Sequence, residues 1–159
     1  MKILIRKAKR RDVKKIAEVI TKSFLETARR DCTKKKFEDY LGTHSPKKSE
    51  EELFDLYLRG AICFVAEANG EIVGIGNGVV ENGRGRVSLL FVLPEYFRKG
   101  IGRKLMKRLE EYFIRNNVRY SYLRSSSLAL AFYQDFGYKK TSGMKKSFGI
   151  KYYPMKKVL

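Results

Sequence analysis

A glycine-containing loop between a strand and a helix is the segment best suited to chemistry. Apolar residues run to Val92, Pro94 interrupts them, and a helical apolar pattern begins at about Ile101. Gly100 and Gly102 lie at this junction, where they let a ligand approach the backbone closely. Because the first N–H groups of a helix are unpaired and electropositive, the segment predicts a pyrophosphate site. The alternative is a simple surface turn. Four cations flank the glycines: Arg98, Lys99, Arg103 and Lys104.

A second candidate lies in a short apolar helix that we predict over Leu128–Phe136, closed by Gly137. Tyr133 lies within this helix. A phenol can donate a proton, but a tyrosine in such a helix is more often a packed aromatic residue of the core than an acid.

Hydrophobic periodicity places both segments in one α/β domain that spans residues 1–159. Helices are predicted from Asp12 to Phe24, from Ser49 to Gly60, from Ile101 to about Asn116 and over Leu128–Phe136, and a short helix is compatible with Lys34–Leu41. Strands are predicted at Ile3–Ala8, Ala61–Ala68, Glu71–Val80, Arg86–Val92, Tyr120–Arg124, Tyr138–Thr141 and Phe148–Val158. The resulting order is β-α-α-β-β-β-α-β-α-β-β.

Taken together, the two segments resemble the signatures of the GNAT superfamily of acetyl-CoA-dependent N-acetyltransferases. The loop Phe97–Gly102 is similar to the family's Arg/Gln-x-x-Gly-x-Gly/Ala motif. Residues 129–138 are similar to its second signature, and Ser126 lies where many members carry Asn or Ser. The element order agrees as well, so the resemblance covers essentially the whole chain. It implies a central mixed, mostly antiparallel sheet flanked by helices. It also implies acetyl transfer from acetyl-CoA to a primary amine of a small molecule or protein, by direct attack in a ternary complex.

The resemblance also implies roles for individual residues. In the family, main-chain amides of the loop bind the pyrophosphate of coenzyme A, which here means Arg98, Lys99, Gly100, Ile101, Gly102 and Arg103. The pantetheine arm is expected in a cleft between the strands at 89–92 and 120–124, beside the backbone of Phe91 and Val92. Ser126 completes the cofactor-binding set. Tyr133 is expected to protonate the leaving thiolate, and an amide of the 89–92 strand to stabilise the oxyanion.

Two features depart from the family pattern. Phe97 stands where the motif has Arg or Gln, which we expect to change packing or affinity because the phosphate contacts are mostly main-chain. The strand before the loop carries no carboxylate to act as general base. His44 is a candidate base because an unperturbed imidazole titrates near pH ~6.5, although a lone histidine in a polar loop is commonly just solvated. Glu67 and Glu81 are the other options.

Composition restricts the class of protein further. Lys and Arg number 35 against 17 Asp and Glu, and the net charge of +18 predicts an anionic partner. The alternative function is therefore a catalytically weak acetyltransferase-like module that binds RNA or DNA through its basic surface. One histidine and two cysteines cannot supply the usual tetrahedral metal site, so we expect no metal. No apolar stretch approaches the ~20 residues of a membrane span, and we expect a cytoplasmic monomer or homodimer.

Overall fold

A computed structural model describes all 159 residues. Five helices are present: α1 (Val13–Thr27), α2 (Lys34–Thr43), α3 (Glu50–Tyr57), α4 (Ile101–Arg115) and α5 (Leu130–Asp135). Eight strands accompany them: β1 (Ile3–Lys7), β2 (Ile62–Ala68), β3 (Glu71–Glu81), β4 (Arg84–Val92), β5 (Tyr120–Ser125), β6 (Lys139–Lys140), β7 (Lys145–Ser147) and β8 (Ile150–Val158). No helix is both long and apolar enough to cross a membrane.

The strands form one sheet in the order β1-β2-β3-β4-β5-β8-β6, and β7 pairs separately with β8. Every pair is antiparallel except β4 with β5. The predicted fold class, a mixed and mostly antiparallel sheet flanked by helices, is confirmed. The predicted order was incomplete, because three helices precede β2 and the short strand β7 separates the last two predicted strands.

The two faces of the sheet are covered by different helices. The apolar side of α4 packs on one face through Leu105, Leu109 and Phe113, which are fully buried. Glycines in β3 and β4 permit this close approach: a Cβ on Gly85 would lie 2.6 Å from the ring of Phe113. Helices α1 and α3 cover the other face with a second apolar cluster that includes Ile16, Ile20 and Leu53.

Strands β4 and β5 diverge along their length. They pair in parallel only where Arg84–Arg86 meets Tyr120–Tyr122. The register between β3 and β4 shifts between Asn77 and Gly78, which leaves Ser88 as an extra residue in β4. A bulge of this kind bends the strand that contains it. The last part of β4 is therefore separated from β5, and a cleft opens between the two strands.

Candidate functional site

The loop before α4 reaches the helix through residues with left-handed backbone. Arg98 has a φ of +61°, and Gly100, which caps the N-terminus of α4, has a φ of +77°. Glycine adopts this conformation without penalty, whereas a residue with a side chain pays about 1–2 kcal/mol. No side chain caps α4, so the first N–H groups of the helix are free to bind a ligand.

A pocket of about 780 Å³ opens beside this loop and is called the α4 pocket below. It is lined by Ser23 and Thr27 of α1, Leu90, Phe91 and Val92 of β4, Tyr96, Phe97, Arg98, Gly100, Ile101, Gly102 and Arg103 of the loop and α4, and Ser126, Leu128, Ala129, Ala131, Phe132 and Asp135 around α5. All predicted cofactor-binding residues except Lys99 are thus brought together. Lys99 lies outside the lining, with its ammonium nitrogen 6.0 Å from the centroid of the Tyr96 ring.

The open edge of β4 forms one wall of the α4 pocket. Leu93 N–H donates to the Val73 carbonyl of β3 at 2.9 Å. Because the backbone groups of every second residue point to the same side of a strand, those of Phe91 also face β3. The backbone groups of Leu90 and Val92 therefore point to the cleft. The Ser23 hydroxyl donates to the Val92 carbonyl at 3.0 Å, which fixes α1 against this edge. Ser23 and Leu90 are lining residues that the sequence did not indicate, because their position depends on strand register.

The charges around the α4 pocket are unequal. Arg98 and Arg103 line it, and Asp135 is the one carboxylate among the lining residues. Arg103 forms an ion pair with Asp135. Phe97, the residue that departs from the loop motif, is 43% exposed and adds an apolar surface to the lining. The pocket therefore combines cations and unpaired N–H groups with apolar walls, which suits a phosphorylated ligand that has a long, weakly polar arm.

Tyr133 lies next to the α4 pocket but does not line it. The residue is 7% exposed and packs edge-on against Phe132, which lines the pocket, with ring centroids 5.2 Å apart. A second edge-on contact joins it to Tyr138 at 5.9 Å. Its hydroxyl has no hydrogen-bond partner in the protein, and burial raises the pKa of Tyr133 above its usual value. The phenol is therefore protonated at neutral pH.

His44 lies outside the α4 pocket, within a run of rings that we call the aromatic stack: Phe37, Phe24, Tyr40, His44 and Tyr57. The expectation of a solvated histidine was wrong, because His44 is 5% exposed. Its Nδ1 atom lies 2.9 Å from the Tyr57 hydroxyl. Burial, with a smaller contribution from Lys48, lowers the pKa of His44 to about 4, so the imidazole is neutral at pH 7.

The other two candidate bases also lie away from the α4 pocket. Glu67 accepts a hydrogen bond from Arg6 at 2.8 Å, in a group that also includes Asp12. Glu81 accepts from Arg86 at 2.7 Å and from the Tyr122 hydroxyl at 3.0 Å, near the closed end of the cleft. These bonds lower the pKa of Glu81. Neither carboxylate lines the pocket, and the one carboxylate that does, Asp135, is paired with Arg103.

The segment between α1 and α2 braces the cleft, which sequence reasoning also missed. Asp31 is 7% exposed, and one of its carboxylate oxygens accepts from both the N–H and the hydroxyl of Ser127 at 3.0 Å. Thr33 N–H donates to the Gly149 carbonyl at 2.9 Å, next to a bridge between Cys32 and Ile150. The segment therefore joins α1 to the β5–α5 loop and to β8. Only the folded topology brings these distant residues together.

Sequence comparisons relate the chain to acetyltransferases. A family model described as an acetyltransferase (GNAT) domain matches residues 28–159. An uncharacterised N-acetyltransferase of Methanocaldococcus jannaschii is 39% identical over an 82-residue alignment, which covers 48% of this chain and 53% of that protein. The matched region thus spans about half the length of this curated relative.

Structural comparisons extend over the full length. The PaiA N-acetyltransferase of Thermoplasma acidophilum, solved in complex with coenzyme A, superposes with a TM-score of 0.83 at 21% identity, covering 100% of both chains. An acetyltransferase of the GNAT family from Streptococcus pneumoniae gives a TM-score of 0.76 at 21% identity, covering 99% of both chains. At this level of identity, the two superpositions show that the fold is shared.

Proposed function

The chain belongs to the GNAT acetyltransferase family, and on that basis we propose that it transfers the acetyl group of acetyl-CoA to a primary amine, which attacks the thioester directly in a ternary complex. The observation that carries this proposal is the α4 pocket, which joins an uncapped helix N-terminus to the cleft between β4 and β5. Its volume of about 780 Å³ suits a cofactor-sized ligand. The coenzyme A complex of the Thermoplasma structure supports the choice of cofactor.

Different residues of the pocket bind different parts of acetyl-CoA. The N–H groups at 98–103, together with Arg98 and Arg103, bind the pyrophosphate. The outward N–H groups of Leu90 and Val92 and the Leu90 carbonyl pair with the pantetheine amides, as strand edges pair with extended ligands, while the Val92 carbonyl accepts from Ser23. Ser126 lies at the opposite wall of the pocket. When bound, acetyl-CoA supplies an activated acyl carbon and a thiolate leaving group.

Tyr133 acts on that leaving group. Its hydroxyl has no partner in the protein, its ring packs against Phe132 on the pocket wall, and burial keeps the phenol protonated at neutral pH. An outward N–H of β4, on Leu90 or Val92, stabilises the negative charge that develops on the carbonyl oxygen. Removal of the proton from the amine is assigned to water in the cleft, since Asp135 is the one carboxylate in the lining and is paired with Arg103.

Calorimetric titration with acetyl-CoA tests this proposal, with two glycine variants as a matched pair. Gly100→Ala places a side chain on the left-handed residue that shapes the loop. Gly83→Ala makes the same change in the β3–β4 turn, at a φ of +73° and likewise with open space around the added Cβ. Both variants bear similar backbone strain of about 1 kcal/mol, but only Gly100→Ala alters the loop that binds phosphate.

We expect the wild-type protein and Gly83→Ala to bind about one acetyl-CoA per chain, with an affinity that persists in high salt because the backbone contacts are short-ranged. Gly100→Ala is expected to bind at least tenfold more weakly, from the loss of one well-placed contact. Equal affinity for the two variants would contradict the assigned loop. Wild-type binding that disappears in salt would contradict the proposed function and favour the nucleic-acid module, which the family match does not support.

A further inference from the structure

The part of the sheet formed by β5 and β8 presents a row of cations on the face opposite α4. On this face Arg84 pairs in register with Tyr120, and Tyr122 pairs with Lys156. Leu123 and Met155 point the other way, into the core beneath α4. We call this outer surface the cationic face and define it by six residues: Arg84, Arg124, Lys156, Tyr120, Tyr122 and Tyr152.

Each cation of the cationic face lies over a tyrosine ring. Lys156 Nζ is 3.8 Å from the centroid of Tyr120, Arg124 is 4.6 Å from that of Tyr152, and Arg84 is 5.5 Å from that of Tyr122. None of the three cations forms an ion pair with a carboxylate, whereas the nearby Arg86 is paired with Glu81. The face therefore holds three cations outside any close ion pair, and the one carboxylate beside them is Glu81, which accepts from the Tyr122 hydroxyl and also attracts Arg84.

The cationic face is continuous with the cleft. Arg124 is two residues before Ser126, which lines the α4 pocket. The hairpin of β7 and β8 borders the face on the other side, and its tip carries Phe148, which is 92% exposed, next to exposed lysines at 145, 146 and 151. A molecule that delivers an amine to the cleft can thus extend over the cationic face.

We propose that the cationic face binds an acidic segment of the acceptor, and that the acceptor is a polypeptide whose primary amine is acetylated in the cleft. This inference rests on the proposed function. Carboxylates match both the sign of the face and the hydrogen-bonding capacity of Arg84 and Arg124. Electrostatic complementarity of this kind selects partners and increases their association rate.

The geometry favours an acidic polypeptide over a nucleic acid. Single-stranded nucleic acids gain much of their affinity by stacking bases on exposed aromatic rings. Here Tyr120, Tyr122 and Tyr152 each have a cation over the ring, so no row of open rings is presented. Polypeptides also supply aliphatic amines, which are much stronger nucleophiles than the ring-conjugated amines of the bases.

Synthetic peptides with a free N-terminus and one central lysine test the proposal. Three peptides differ only in whether the remaining positions are Glu, Gln or Arg. Arg124→Glu is compared with Arg115→Glu, which makes the same change of charge at an exposed position on α4 and therefore alters the net charge equally. Acetylation is followed by mass spectrometry, and peptide affinity is measured separately by titration of the protein in the presence of coenzyme A.

We expect wild-type protein to bind and acetylate the Glu peptide with at least about fivefold lower Kd and KM than the Gln peptide, as expected for exposed charge pairs. Arg124→Glu should remove this preference and increase affinity for the Arg peptide, with kcat little changed, while Arg115→Glu should behave as wild type. Equal binding of the three peptides, or equal effects of the two substitutions, would overturn the inference even if acetyl-CoA binds normally.

A labelled single-stranded RNA provides the competing outcome. If wild-type protein binds this RNA more tightly than the Glu peptide, and Arg124→Glu but not Arg115→Glu abolishes that binding, then the cationic face is a nucleic-acid surface and the inference is wrong. Loss of acetyl-CoA binding and of all acetylation would instead contradict the proposed function. The peptide titration still decides separately whether the face prefers acidic chains.

Discussion

The α4 pocket and the aromatic stack both adjoin α1, yet they are built in opposite ways. Ser23 and Thr27 of α1 line the pocket, where the first N–H groups of α4 and most of the open edge of β4 have no partner, although the Val92 carbonyl accepts from Ser23. Phe24 begins the stack, in which the rings lie 3.9–5.7 Å from their neighbours and His44 is hydrogen-bonded to Tyr57. The pocket therefore keeps unused bonding capacity for a ligand, whereas the stack is held together by ring packing and an internal hydrogen bond.

This difference separates function from stability. Changes in the α4 pocket should alter binding or turnover while the free energy of unfolding stays nearly constant. Changes in the aromatic stack should lower the free energy of unfolding while the pH dependence of catalysis stays constant. A variant that alters both the free energy of unfolding and catalysis would identify a residue that serves both regions.

The largest effect is expected for Tyr133→Phe. If Tyr133 protonates the thiolate, its removal should slow acetyl transfer by about 10²-fold or more, the usual contribution of a general acid. The free energy of unfolding should hardly change, because the hydroxyl has no hydrogen-bond partner in the protein and the ring contacts with Phe132 and Tyr138 remain. Single-turnover rates and thermal unfolding measure the two quantities. Tyr138→Phe is the control, since it removes a hydroxyl that is bonded to Ser121 at 2.8 Å.

For Tyr138→Phe we expect the reverse result, with about 1 kcal/mol of stability lost and turnover retained. A Tyr133→Phe variant with normal turnover would show that the thiolate leaves without its help. In that case the α4 pocket would contribute to binding but not to proton transfer. Its variants would then differ from those of the aromatic stack in acetyl-CoA affinity rather than in turnover.

The fold could largely be predicted because its signals are local. The buried face of α4, the hairpin at Asn69 and Gly70, and the strand–loop–helix junction at Gly100 each depend on residues close together in the chain. The burial of His44 could not be predicted in this way. Tyr40 is one helical turn before it, but Phe24 and Tyr57 come from two other helices.

The site was predicted unevenly for the same reason. Glycines and cations of the loop mark their own position, and eight of the nine predicted cofactor-binding residues line one pocket, with Lys99 outside it. The contributions of Ser23, Leu90 and Asp31 depend on long-range contacts, such as the bulge at Ser88 that fixes the register of β4. A sequence pattern holds no direct record of these contacts.

The pH dependence of stability tests the aromatic stack. The pKa of His44 is about 4 in the folded protein, against about 6.5 in the unfolded chain. As pH falls from 6.5 to 4, the unfolded chain binds a proton that the folded protein excludes. The free energy of unfolding should therefore decrease by about 3 kcal/mol across this window. His44→Gln should abolish that part of the decrease, which denaturant titrations of both proteins at each pH would measure.

The same substitution tests the catalytic prediction for His44. A histidine in the aromatic stack, outside the α4 pocket, should leave the pH profile of kcat/KM unchanged when it is replaced. A profile that loses its limb near pH 4–6.5 in His44→Gln would instead show that His44 is the base, and the two regions would then be functionally connected.

A smaller effect on both quantities is expected for Asp31→Asn, because Asp31 braces the β5–α5 loop from the far side of the cleft. An amide cannot accept both bonds from Ser127 as well as a carboxylate does. The free energy of unfolding should fall by about 1–2 kcal/mol, and acetyl-CoA affinity should fall several-fold as Ser126 shifts. Asp39→Asn, at an exposed position on α2, is the control and should alter neither quantity. Loss of stability with unchanged affinity would show that the brace does not shape the pocket.

The smallest effect, and the one opposite in sign, is expected for Asp135→Asn. This substitution removes the one carboxylate that lines the α4 pocket and releases Arg103 to interact with phosphate. Acetyl-CoA affinity should rise about two- to threefold at low ionic strength, and the gain should shrink in high salt because exposed charges are screened. Asp55→Asn, on α3, breaks a similarly exposed ion pair with Arg59 and should leave affinity unchanged. A decrease in affinity for Asp135→Asn would mean that the ion pair holds Arg103 in position for the cofactor. Even the exposed part of the pocket would then depend on bonds within the protein, as the aromatic stack does.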